Sequence, residues 1–300
     1  MTLQEIVDAS RDRLGNYEKP WNWLDREIVL YANEAINVLC RDTRILEDSY
    51  TGSICNVHAA AGILDYALST YIIYVTAAKL LSSEKMTLDV AATPAAWAVD
   101  ATVTGGTSTF TCNIVAALTT TTYTIDKRTG EFTLGEILSD GTNSADQGAA
   151  YPVLTDNSSS PNLLTKSTSV EMNRYYSGWR SATATQPTKY ILDYRHGYIT
   201  LYPPPDKAYT IVLSVIRYPS AAFSATSMSS QTPEIPTQYH HALLDGIAWQ
   251  AFLKRGEATY DPQKSDFFYK LFRKQISDMK IQSNMREGNE STNSPLGGFI

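Results

Sequence analysis

Four histidines, His58, His196, His240 and His241, are the side chains best able to move protons near neutral pH. His241 and Asp245 stand four apart, one turn on a helix, where both could reach one metal ion. No third ligand can be identified, and the simpler reading is that His240 and His241 sit at a helix start and bond locally. Asp193 and His196 are the residue types of an acid–base pair. They flank a turn at Arg195 and Gly197, where polar side chains more often satisfy local backbone groups. The three cysteines, Cys40, Cys55 and Cys112, are odd in number and lack a CxxC pair. They read as free thiols in a reducing compartment, buried as small apolar side chains. The chain has no G-x-S-x-G elbow, phosphate loop, dinucleotide fingerprint or zinc spacing. No catalytic, metal or cofactor-binding residue is assigned. A hydrolase with carboxylates remote in sequence stays open as an alternative, with Asp193 and His196 the residues to test.

The charge pattern points to binding instead. The chain carries a formal net charge of −6, which gives no general reason to bind nucleic acid or an acidic membrane. Yet Lys264 to Arg286 holds six bases and two acids in a predicted helix. This is either a solvated outer face or a surface for an acidic partner. Residues 286–300 are expected to be a flexible tail that ends in an apolar tip. The candidate partner-binding residues are Lys270, Arg273, Lys274, Lys280, Arg286, Leu296, Phe299 and Ile300.

The elements that must carry these residues follow from local pattern. Thr2 and Glu5 form a capping box ahead of a helix that ends at Gly15. A polar loop with Pro20 brings in Trp21 and Trp23. Asn22 is placed to cap a second helix whose apolar positions run from Leu24 to Leu39 at three- and four-residue steps, ending near Arg41 and Asp42. Residues 53–81 fit strands better than one long helix, because Gly52 and Gly62 interrupt them and Tyr71 to Thr76 is strand-like. From residue 86 to 165 the chain turns Thr-, Ser-, Ala- and Gly-rich, with eight acids against two bases. Strands are expected at Val99 to Thr104, Thr107 to Val115, Thr122 to Ile125 and Glu131 to Leu134, with turns at Asp126 to Gly130 and Asp140 to Asn143. Strands then follow at Ile191 to Tyr194, Tyr198 to Tyr202 and Tyr209 to Tyr218. Pro203 to Pro205 and Pro219 end the last two. Two late helices complete the chain. One follows Pro236, with Tyr239, Leu243, Leu244, Ile247, Ala248, Ala251 and Phe252 as its stripe. The other follows Asp261-Pro262, with Phe268, Leu271, Phe272, Ile276 and Met279. The fold class is α+β: helices at both ends around a central antiparallel sheet, with a small inserted β domain. The organisation expected is a core of residues 1–85 and 166–285, an acidic β module at 86–165, and the tail. The N-terminus does not read as a signal peptide, and the most apolar run, Tyr71 to Leu81, is too short to span a bilayer.

Several segments together resemble the head-to-tail adaptor (connector) proteins of tailed bacteriophages, in their long form. They are Trp23 to Ala35, Arg41 to Ser49, Trp179-Arg180, Pro187 to Tyr190, Gly197, Leu201 to Pro205, and Pro233 to Pro236 with Tyr239-His240. The 86–165 segment has no place in the shorter members. The resemblance implies a structural virion protein, not an enzyme, and no cofactor. It implies a ring, usually twelvefold, at the head–tail junction, assembled in the host cytoplasm. Such a ring joins the portal to a downstream tail or nozzle protein, and the C-terminal segment reaches the portal. DNA passes through its channel during ejection without sequence-specific binding, and no membrane is involved. An acidic chain suits such a channel, since like charge avoids sticking. The alternative is a tail or fibre component whose β module binds a host-surface glycan.

Overall fold

The computed structural model describes residues 1–15, 22–157, 162–256 and 259–286. The chain divides into two compact units, one of residues 1–47 and 216–300, the other of residues 48–215.

The first unit is helical. Helix α1 (Leu3–Leu14) starts with the expected capping box: the Glu5 amide donates to Thr2 Oγ1 at 3.3 Å, and the Thr2 amide donates to Glu5 Oε2 at 2.8 Å. It ends at Gly15, whose φ of 68° suits glycine. Helix α2 (Asp25–Thr43) is not capped by Asn22. Its start is held by Glu27, whose carboxylate accepts the Leu24 amide at 2.8 Å, while the Asn22 carbonyl accepts Lys254 Nζ at 2.7 Å. Pro20 and Trp21 lie outside the described residues. Trp23 is buried, with its indole N–H on the Ala251 carbonyl and its ring edge-on to Phe252.

The four-residue helix α3 (Gly52–Cys55) and strand β1 (Glu47–Asp48) follow α2 in the chain; helix α4 belongs to the second unit. Helix α5 (His240–Ala251) is buried along almost its whole length, Asp245 and Gly246 included, as expected of a helix apolar nearly all round. It contacts α1, α2 and α6 (Pro262–Arg286). Asp261 caps α6, accepting the Lys264 amide at 3.0 Å, and Pro262 occupies the first turn.

The second unit is built of sheets. Residues 53–81 form strands β2 (Asn56–Ala59), β3 (Asp65–Ala67) and β4 (Ile72–Leu81), with α3 just before them. Strand β15 (Tyr209–Arg217) pairs with β2 and β4. A second sheet runs β12 (Thr165–Ser167), β13 (Lys189–Ile191), β14 (Tyr198–Tyr202), β3; its β12–β13 pair is parallel and the rest antiparallel. Val75, Leu80, Tyr190, Ile199, Leu201, Ile211 and Leu213 belong to one core cluster shared by these two sheets. Helix α4 (Ser169–Tyr175) covers the opposite face of β13 through Met172, Trp179 and Ile191.

The third sheet lies between Glu84 and Asp156 and is antiparallel throughout. Its order is β10 (Ser144–Asp146), β9 (Ile137–Ser139), β6 (Thr102–Gly105), β7 (Thr111–Ala117), β8 (Thr122–Asp126), β5 (Glu84–Thr87), β11 (Val153–Asp156). It has its own core of Met86, Trp97, Ile114, Tyr123, Ile125 and Leu138, with the Trp97 and Tyr123 rings 5.1 Å apart. The Asp140 to Asn143 turn forms as expected, with Asp140 Oδ1 accepting the Thr142 and Asn143 amides.

Three further local expectations are corrected. Glu131 to Leu134 is a loop and not a strand, because Arg128 turns inward and Glu136 takes the Thr133, Thr107 and Ser108 amides. The strand expected at Ile191 to Tyr194 stops at Ile191, since Asp193 is drawn to Ser169 at the start of α4. The stretch after Ser167, expected only to lead into the sheet, contains α4.

Candidate functional site

Helix α6 positions the basic residues singled out above. Phe272, Ile276 and Met279 are buried on one side at three- and four-residue steps. Lys270, Arg273, Lys274 and Lys280 are exposed on the other. Lys270 pairs with Asp266 one turn earlier at 2.6 Å. Arg273 reaches across to Asp42 on α2 at 2.6 Å. Burial alone would raise the Asp42 carboxyl, but hydrogen bonds from Arg273 and Arg41 hold it below its ordinary range. Arg273 is therefore a clamp between helices, and Lys274 and Lys280 are the cations presented outward. The side chain of Arg286, and Leu296, Phe299 and Ile300, lie outside the described residues.

The residues suited by type to acid–base or metal chemistry are not brought together. His241 is exposed, whereas Asp245 is buried and bound by Arg13 and by Gln275 Nε2 at 2.5 Å. Burial raises the Asp245 carboxyl despite those partners. His240 is buried with Nε2 on the Ile235 carbonyl at 3.0 Å, and burial lowers its pKa. Asp193 accepts the Ser169 amide and hydroxyl, so it serves the α4 terminus and not His196. Among the described residues no cluster of His, Cys, Asp and Glu has metal-site geometry. The three cysteines are free and buried, and burial pushes the Cys40 and Cys112 thiols up to about 12.

The sheet unit contains a polar knot that the residue pattern did not disclose. Buried Arg128 meets Glu84 with two hydrogen bonds, of 2.8 and 2.9 Å. It also reaches the Gly130 carbonyl and Glu131. Glu131 accepts from Asn56 at 2.6 Å and lies 3.1 Å from His58 Nε2. An open cleft of about 450 Å³ adjoins the knot. Its charged groups are neutralised among themselves, Lys79 by Asp156 and Arg128 by Glu84 and Glu131. That arrangement ties Asn56, Glu84, Arg128 and Glu131 together.

On the α4 side of the second sheet, cations lie over rings. Arg180 sits between Trp179 and Tyr194, its Cζ 4.4 and 4.6 Å from the two centroids. Arg195 lies 3.6 Å over Tyr198, Lys189 5.2 Å over Tyr176, and Arg174 5.3 Å over Tyr175. Of these residues, the sequence resemblance takes in Trp179, Arg180 and Lys189; the stacking of cations on rings is not legible in the sequence.

A family model described as SU10 adaptor protein matches residues 88–296, more than half of the chain. The chain belongs to this family of bacteriophage head–tail adaptors. No curated protein matches it. The SU10 adaptor match takes in most of the seven-stranded sheet, strands β12, β13 and β14 of the second sheet with α4, and all of α5 and α6. Helix α1 precedes it, as does α2, whose residues contributed to the sequence resemblance. As expected of a phage structural adaptor, the chain is a virion component that acts between head and tail parts. Among the described residues no helix is long and apolar enough to cross a membrane.

Proposed function

We propose that copies of this chain form a ring, twelvefold in symmetry, that seats beneath the portal of the phage head and continues the DNA channel toward the tail. The observation that carries the reading is the adaptor-family match through residue 296, which includes the helix whose cations face outward. In this reading α6 and the 286–300 tail approach the portal, with Lys274 and Lys280 offered to an acidic surface. Arg273 holds α6 to α2. A downstream tail or nozzle protein binds the opposite side. DNA slides through without sequence-specific contacts, and the role is structural and not enzymatic. Residues 86–165 act as a module carried by a core of 1–85 and 166–285.

The test is native mass spectrometry and negative-stain imaging of the purified protein, alone and with portal rings. The expected result is a portal carrying an added collar of this chain. A chain that stays monomeric and leaves portal rings unchanged would overturn the reading. Removing residues 287–300 should abolish collar formation while leaving the melting temperature unchanged.

A further inference from the structure

The cation–ring face and one edge of the seven-stranded sheet are complementary in charge, and both belong to the unit of residues 48–215. On the first, Arg174, Arg180, Lys189 and Arg195 have no ion-pair partner among the described residues, while the nearby carboxylates Glu171 and Asp193 accept from the Ser167 and Ser169 hydroxyls. Tyr175 is 66% exposed and Val170 71%. On the second, Asp146 ends the edge strand β10 directly opposite the half-exposed Ile137. Asp89 is placed beside it, its amide on Gln147 Oε1 at 2.8 Å and its carboxylate against Gly148. Neither aspartate has an ion-pair partner among the described residues. Leu134 and Val90 add exposed apolar surface to that edge.

We infer that the Arg174–Arg180 face of one copy binds the Asp89–Asp146 edge of a second copy. This rests on the ring reading above and names the surfaces that close the ring. Three observations favour a second copy over nucleic acid. The rings on this face are each engaged by a cation, which leaves less ring surface on which bases could stack. The chain as a whole is acidic, which opposes the approach of a polyanion. Trp, Tyr and Arg together are the composition of protein–protein hot spots. A guanidinium stacked on a ring is held in place with its N–H edge outward, ready for a carboxylate. Because the two surfaces differ, the contact is head-to-tail, the kind that generates a ring when the rotation closes.

The test uses full-length protein, with sedimentation velocity and native mass spectrometry at low and high salt. One variant carries Arg174→Glu with Arg180→Glu, the other Asp89→Lys with Asp146→Lys. Each alone should need at least about tenfold more protein to assemble than the wild type. An equimolar mixture should recover assembly, because each reversed surface then meets its reversed complement. If the Arg180 change lowers the melting temperature, Arg174→Glu with Arg195→Glu makes the same charge change away from Trp179. Variants that assemble like the wild type would overturn this interface and leave the ring reading intact. Folded variants whose mixture fails to recover would overturn it as well. So would arginine variants that assemble normally but no longer retain double-stranded DNA, since the face would then serve nucleic acid. A wild-type chain that never assembles, alone or with portal rings, would overturn both.

Discussion

Arg128 and Glu84 face each other across 44 positions of sequence with two hydrogen bonds, of 2.8 and 2.9 Å, and both are buried. The paired geometry matches the planar guanidinium to both carboxylate oxygens. Thr210 Oγ1 adds a bond to Glu84 at 3.0 Å, tying β15 to the start of the seven-stranded sheet. Removing one partner strands the other charge away from water. Arg128→Met should therefore lower unfolding stability by about 3–5 kcal/mol. Replacing both, Arg128→Met with Glu84→Met, should lower it by less than the single change. Chemical denaturation of the two variants and the wild type checks the order.

Glu131 gives the same knot a pH dependence. Burial alone would raise its carboxyl, but the His58 contact, the Arg128 charge and the Asn56 hydrogen bond outweigh burial and lower it from 4.5 to about 2. The folded state thus binds the proton more weakly than the unfolded chain. Glu131 contributes stability that is complete above about pH 4.5 and is lost as pH falls toward 2. Glu131→Gln should lower the melting temperature at pH 6, and the gap from wild type should narrow steadily between pH 4.5 and pH 2. Melting curves across that range decide it, since a gap that stays constant would show that the Glu131 charge is not what stabilises the knot.

Much of this architecture was legible because its signals are local. Thr2 with Glu5, and Asp261 with Pro262, mark helix starts within four residues, and both helices begin there. Pro203 to Pro205 stop β14 at Tyr202 as expected. What escaped depends on distant partners. The 127–136 loop forms because Arg128 finds Glu84, far back in the chain. Helix α4 did carry a readable sign, the Thr168-Ser169-Val170-Glu171 capping box, but only Met172 of its seven residues is buried, so no apolar stripe accompanied it. The cation–ring stacks arise from the placing of α4 beside β13 and β14, which spacing along the chain does not encode. For the basic helix, spacing separated its buried stripe from its exposed face, but not Arg273, which is spent on Asp42, from Lys274.

Gly246 lies where α5 packs against Ala35 of α2. A Cβ added there would fall 2.7 Å from Ala35 Cβ and 3.2 Å from the Phe272 ring. In an exposed helix, Gly to Ala would stabilise by up to about 1 kcal/mol. Here the overlap should dominate, and Gly246→Ala should lower stability by about 1–3 kcal/mol. Adding Ala35→Gly should recover part of the loss, because the Ala35 methyl is the nearest obstacle. Thermal melts of the single and double variants test it, and a stabilised Gly246→Ala would show that the two helices can move apart at little cost.

Phe272 and Lys274 stand two residues apart on α6 and should fail in opposite ways. Phe272 is fully buried, stacked on Trp249 and packed beside Gly246. Phe272→Ala should lower stability by about 3–5 kcal/mol, because a large cavity opens where α5 and α6 meet. Its partner binding, measured on the fraction still folded, should be retained. Lys274 is exposed. Lys274→Glu with Lys280→Glu should leave the melting temperature where it was, since neither side chain belongs to the buried stripe. The same change should weaken attachment to portal rings, and more so at low salt, where charge contacts are least screened. If portal attachment survives it unchanged, the outward cations of α6 are a solvated face, and the contact must be sought in the tail beyond Arg286.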